Sequence, residues 1–239
     1  MTQPASREIE IDPEHTVLLF VDVQKYNCTW EGGEYAHLSA AEREAQYGYF
    51  FRTLRDSALP NMVRLQQACR RAGIEVAYTI IESMTVDGRD RSLDYKITGF
   101  NVPKGSPDAR MIDELEPADD EMVFPKTSSS VFISTNIDYV LRNLEARYLI
   151  IAGCLTDQCV DSAVRDACDL GYLVTVPVDA TVTLSAERHE WSLKNNRGYC
   201  RQRSTRELLE EIGRLTGTWP ARWPQPSTPR RACASATRA

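Results

Sequence analysis

Histidine is scarce in this chain: three among 239 residues, at His15, His37 and His189. None stands near a pair of cysteines and no Cys-x-x-Cys spacing occurs, so a zinc site of thiolates and imidazoles is not expected. A glycine-rich dinucleotide fingerprint is missing, as is a P-loop. Gly-x-Ser-x-Gly is missing too, which removes the serine hydrolases built on that turn. No apolar run is long enough to span a bilayer, and Met1 to Asp12 is polar, with no signal-peptide core. Positive charge is not in excess. The net charge of −6 argues against general nucleic-acid binding. Seven cysteines, an odd number, are scattered through core-like segments and loops. That pattern fits reduced thiols in a cytoplasm better than a disulfide framework. No internal repeat is visible.

What is present is alternation. Thr16–Val21, Glu75–Ile81, Met122–Phe124, Tyr148–Ala152 and Leu173–Val178 are short apolar runs and read as strands, the third stopped by Pro125. Tyr199–Gln202 reads as a short sixth. Between them lie helical patterns. Met62, Leu65, Cys69 and Ala72 recur at three and four residues before Gly73, and Ile137, Val140, Leu141 and Leu144 follow a capping-box-like Thr135-Asn-Ile-Asp138. Met111–Leu115 reads as a short helix and Ala186–Asn196 as a longer one. Ser204-Thr-Arg-Glu207 is a capping box for a last helix to about Leu215. Strand–helix alternation predicts one α/β domain, a parallel sheet of about six strands with helices on both faces. Residues 1–15 form a polar arm, 16–216 the domain, and 217–239 a Pro/Arg/Ala-rich tail expected to be flexible. Residues 27–51 read as a long mixed insertion, a lid or an oligomer contact. Glu82–Gly105 reads as a polar loop, either solvated or a substrate- or subunit-binding segment.

One stretch organises the rest, Tyr148 to Gly171. It is a buried strand, a tight turn and a helix, with Val160, Ala163, Val164 and Ala167 at helical spacing and Gly171 at the cap. Cys159 falls in the first helical turn, where backbone N–H groups lack partners and the dipole is positive. A thiol there tends toward a depressed pKa, and the free N–H groups suit a developing oxyanion. A cysteine near a helix start is also commonly a small packed residue. Asp22 follows the first strand and Lys126 the third. Taken alone, Asp22 reads more readily as a helix cap or loop carboxylate. Together with Cys159, Asp22 and Lys126 stand at the carboxyl ends of three strands, the edge where parallel α/β sheets bind ligands. A carboxylate, an ammonium and a thiol make an activated nucleophile without histidine.

These residues carry a resemblance. Leu18-Leu-Phe-Val-Asp22-Val-Gln24, then Lys126-Thr127 with Ser130 and Phe132, then Gly153-Cys-Leu-Thr156-Asp-Gln-Cys159-Val160 with Arg165-Asp166-Ala167, resemble the isochorismatase-like cysteine hydrolases over about Thr16 to Leu215. The resemblance implies a three-layer sandwich and a catalytic triad of Asp22, Lys126 and Cys159. It implies an oxyanion hole from the N–H groups of Leu155 and Cys159, and a non-prolyl cis peptide at Cys154–Leu155. No histidine lies between His37 and His189, so the metal cluster of the family's nicotinamidases is not matched, and neither a metal nor another cofactor is expected. Cys159 points to C–N bond hydrolysis through a thioester, with triuret or biuret favoured among ureido substrates. Ureidoacrylate, an N-carbamoyl amino acid or a carboxamide are the alternatives. The glutamine with which biuret hydrolases hold substrate is replaced in this region by Asn195-Asn196-Arg197, which favours triuret over biuret. Gln24, Asn27, Tyr95 and Arg197 are candidate substrate contacts. A homodimer or homotetramer is the family's habit. A member that binds a small molecule or a partner without turnover, and a generic α/β domain, are the rival readings.

Overall fold

The computed structural model describes residues 6–217. The tail expected at 217–239 therefore lies outside the described residues, apart from Gly217. In chain order the elements are β1 (Thr16–Val21), α1 (Lys25–Cys28), α2 (Ala40–Thr53), α3 (Leu59–Ala72), β2 (Glu75–Ile81), α4 (Leu93–Thr98), β3 (Met122–Lys126), α5 (Val131–Ser134), α6 (Ile137–Asn143), β4 (Tyr148–Cys154), α7 (Asp161–Asp169), β5 (Leu173–Pro177), β6 (Thr181–Val182), α8 (Ala186–Asn196), β7 (Cys200–Arg203) and α9 (Thr205–Thr216). The sheet order is β3-β2-β1-β4-β5-β7, with β6 paired to β4. Every pairing is parallel. The sheet thus has seven strands rather than six, because β6 is a two-residue strand with no apolar run to announce it. Among the described residues no helix is long and apolar enough to cross a membrane.

Alternation along β1 builds the layers. Leu18 and Phe20 point to one face, where Met62 and Leu65 of α3 and Leu208 and Ile212 of α9 cover them. Val17, Leu19 and Val21 point to the other, against Ile137 and Leu141 of α6 and Ala163, Val164 and Ala167 of α7. All six β1 residues are buried, as a central parallel strand requires. Each such large side chain contributes roughly 1.5–3 kcal/mol by leaving water. The N-terminal arm is tied down, with Ile11 buried and its N–H donating to Glu211 at 2.8 Å.

Several expectations need correction. The second half of the segment read as an insertion, residues 40–51, is helical and belongs to α2. Ser39 and Glu42 make a complete capping box that starts α2. The helix then runs without a break through a π turn at Leu54–Ala58 into α3. Pro60 explains that turn: it lacks an N–H and its ring displaces the carbonyl four residues back, so the helix widens just before it. Pro125 does not end β3, because β3 is the sheet edge and an exposed proline there removes no ladder bond. Thr135 and Asp138 make no capping box; the Thr135 hydroxyl accepts from Ile137 N at 3.1 Å instead. The Glu82–Gly105 segment carries α4, and of 111–115 only Asp113–Leu115 forms a single 3₁₀ turn.

Gly153, near the end of β4, has φ of +120°, and a Cβ there would sit 2.2 Å from Val21 O. Gly153→Ala is therefore expected to push β4 from β1 and to cost about 2–4 kcal/mol, read as a lower urea midpoint at unchanged slope.

Candidate active site

The strand order reverses at β1: β2 and β3 lie on one side, β4 and β5 on the other. The loops leaving β1 and β4 diverge there and open a crevice at the carboxyl edge. Asp22 is the first residue beyond β1, with φ of 53°, a region aspartate tolerates better than most residues. Its N–H bonds Thr79 O at 3.1 Å, and the Thr79 hydroxyl donates to Oδ1 at 2.6 Å. The Cys154 thiol donates to the Asp22 carbonyl at 3.3 Å. Two of these contacts fix the Asp22 main chain and the third, from the Thr79 hydroxyl, orients its carboxylate.

Lys126 closes β3, two strands away, and its stem spans the gap. It is wholly buried, and Nζ stands 2.9 Å from Asp22 Oδ2, 3.0 Å from Tyr95 OH, 2.8 Å from Ser128 O and 3.4 Å from Cys159 Sγ. Oδ2 is close to the ammonium but off the hydrogen-bonding direction, so it has no aligned donor. It is the oxygen left to take a proton. Cys159 lies in a π turn, Thr156–Val160, between the end of β4 and α7. The Cys154–Leu155 peptide before that turn is cis. Leu155 is the N-cap of that turn and Cys159 its fourth residue.

Burial alone would lower the Lys126 pKa, but Asp22, Cys159 and Tyr95 overcome it and hold the ammonium well above its ordinary 10.5. Burial raises the Cys159 thiol and Asp22 raises it further, against the pull of Lys126, leaving it at about 11. This corrects the expectation of a depressed pKa. The helix start is there, but the thiol is buried and faces a carboxylate. Burial and the facing carboxylate thus favour the protonated thiol at neutral pH. The resting site is an ion pair beside a neutral thiol.

The other candidates divide. Tyr95 is buried in α4, its hydroxyl 3.0 Å from Lys126 Nζ and 3.8 Å from Cys159 Sγ. Asn27 is buried in α1. Its Nδ2 donates to Cys154 Sγ at 3.5 Å, and its Oδ1 has no partner. Gln24 is taken up by main chain: Nε2 donates to Ile81 O at 3.0 Å and Oε1 accepts from Ile81 N. It staples the β1 loop to β2 and has no polar atom left for a substrate. Arg197 is exposed at the C-terminal cap of α8 and makes no contact with the triad. Two residues not singled out as contacts also enter: Thr79 on Asp22, and Ser129, whose hydroxyl is 3.9 Å from Cys159 Sγ. Among the described residues no group of three or more His, Cys, Asp or Glu is arranged to hold a metal ion. The six described cysteines are all free thiols.

Comparison with known proteins places this architecture. The isochorismatase domain model matches residues 16–207. A ureidoacrylate amidohydrolase RutB of Agrobacterium fabrum is 31% identical over 206 residues, covering 76% of this chain and 82% of that protein. RutB of Serratia proteamaculans is 29% identical over 198 residues, 76% and 75% of the two chains. Among solved structures, a cysteine hydrolase from Pseudomonas syringae pv. phaseolicola superposes with a TM-score of 0.72 at 23% identity, over 90% of this chain and 100% of that one. An N-carbamoylsarcosine amidase from Thermoplasma acidophilum gives 0.61 at 22%, over 80% and 96%. The chain belongs to the isochorismatase domain family and stands among its amidohydrolases, enzymes that cleave carbon–nitrogen bonds other than peptide bonds.

Proposed function

We propose that the protein hydrolyses a small ureido compound with Cys159 as nucleophile. The observation that carries this reading is the buried contact set of Asp22, Lys126 and Cys159 around one ammonium. Because burial and the facing carboxylate favour the neutral thiol, attack is coupled to proton transfer: Asp22 Oδ2 takes the thiol proton as Sγ attacks the carbonyl carbon. Lys126 holds both charges while the proton moves. The N–H groups of Leu155 and Cys159 receive the oxyanion. Asp22 then returns its proton to the leaving nitrogen, and ammonia or an amine departs. The acyl group stays on Sγ, as a thioester or, where the carbon carries a second nitrogen, a thiocarbamate. A water deprotonated by Asp22 releases it.

Tyr95 adds to this. A lysine ammonium only donates, so the Tyr95 oxygen accepts from it and the phenol proton is free for Sγ. Tyr95→Phe keeps the ring on Phe100, 5.3 Å away between centroids. It is expected to lower kcat about tenfold and to shift inactivation by iodoacetamide to higher pH.

A ureido group suits the site because its N–H groups supply the donor that buried Asn27 Oδ1 lacks. The RutB relatives put ureidoacrylate first among such compounds. The preference for triuret or biuret draws no support from them. Ammonia release from ureidoacrylate, an N-carbamoyl amino acid, triuret, biuret and nicotinamide tests the proposal. Fast release from one ureido compound supports it, and turnover of nicotinamide alone would overturn the substrate class.

A further inference from the structure

His189, on α8, takes no part in the mechanism above, yet it grips the turn that carries the nucleophile. Its Nε2 lies 3.1 Å from Val178 O and its Nδ1 3.0 Å from the Thr156 hydroxyl. A carbonyl only accepts, so Nε2 carries the proton. In the neutral ring Nδ1 then has a lone pair, and Thr156 donates to it. Thr156 is the first residue of the π turn and is completely buried. One turn along α8, Ser192 donates to Thr156 O at 3.0 Å. The next residue, Asp157, is held by the Thr183 hydroxyl and paired with Arg188. The start of the turn is thus fixed from α8 and from the segment after β6, three residues before Cys159.

We infer that His189 is a positioning residue: as a neutral ring protonated on Nε2 it holds the Thr156–Val160 turn in its catalytic setting, and protonation of the ring loosens that turn and lowers activity on the acid side. The inference rests on Cys159 being the nucleophile. A second proton on Nδ1 reverses the bond to Thr156 and leaves the buried hydroxyl proton to find another acceptor. It also sets a cation against the N–H end of the turn, which is positive already. Asp157 and Glu190 face the ring and favour the charged form, Asp157 being neutralised in part by Arg188. Asp179, next to Val178, is turned to Thr205. Burial outweighs the bond to Val178 O and the two carboxylates and keeps the ring below its ordinary 6.5. The acid limb of activity therefore lies below that pH.

The test uses the full chain and two variants. Nitrogen-15 NMR of histidine-labelled protein reads the tautomer without any substrate, with only three rings to assign. It is expected to show neutral His189 protonated on Nε2, titrating in step with the acid limb of kcat. His189→Gln supplies one donor and one acceptor that do not titrate. It should keep kcat within about threefold at pH 8 and abolish the limb. His189→Phe fills the space without either group. It should lower kcat about 10–100-fold with KM little changed and the fold intact by thermal melting. A ring protonated on Nδ1, a limb that survives in His189→Gln, or an unchanged kcat in His189→Phe would overturn the inference. Undiminished turnover in Cys159→Ala would instead remove the nucleophile reading and leave the tautomer result standing.

Discussion

Lys126→Met is expected to destabilise the protein by about 3–5 kcal/mol and to abolish turnover. The ammonium and the Asp22 carboxylate are both almost wholly buried, and each is the other's counter-ion. Removing the cation leaves a buried carboxylate without its counter-ion, held by the Thr79 hydroxyl on Oδ1. Asp22→Asn in the same chain should recover most of the lost stability, since the amide carbonyl still accepts from Thr79 and no charge is left unpaired. The two substitutions should thus be strongly non-additive in urea unfolding, and the double variant stable but inactive. Because Lys126 is held well above 10.5, its stabilising contribution is complete below that pH and is lost only in stronger alkali. Simple addition of the two single effects would contradict a mutually compensating pair.

Cys159→Ala is expected to lower turnover at least about 10⁴-fold while leaving the fold intact. The side chain packs with Val160 and Ala163 at the sheet face, and losing one sulfur there removes little apolar contact. Cys159→Ser should be nearly as inactive. A serine hydroxyl is far less acidic than even this raised thiol, so its proton is far harder to remove as the oxygen attacks. Both variants should melt within a few degrees of the parent, so that lost activity is not lost structure.

Parallel strands buried on both faces must be short apolar runs, and β1, β2, β4 and β5 announce themselves in that way, while the edge strand β3 shows only the short run Met122–Phe124. β6 was not legible, since Thr181–Val182 is too short to make a pattern. α2 was passed over because it buries only Gly48 and Phe50, leaving little apolar stripe. The signal lay in Ser39 and Glu42, the capping pair at its start. That Asp22, Lys126 and Cys159 come together could be read from three motifs at strand ends. What holds them could not. Thr79 sits within an apolar strand and reads as a β-branched filler, while its hydroxyl fixes Asp22. Tyr95 lies on a six-residue helix in a polar segment, and only the fold brings it to Lys126. The thiol's pKa was misjudged for a related reason: a helix start is visible in a local pattern, but burial and a carboxylate from a distant strand are not. Gln24 and Arg197 carried suitable groups, but one is consumed by main chain and the other is exposed at a helix end.

The central claim is that Cys159 forms a covalent bond to the substrate's carbonyl carbon. Acid quenching during turnover of whichever ureido compound releases ammonia fastest, followed by peptide mass analysis, bears on it most directly. The account predicts the acyl mass on the peptide carrying Cys159 and on no other cysteine peptide, and no adduct or turnover in Cys159→Ala. An adduct on Cys28 or Cys154, or full turnover by Cys159→Ala, would contradict it.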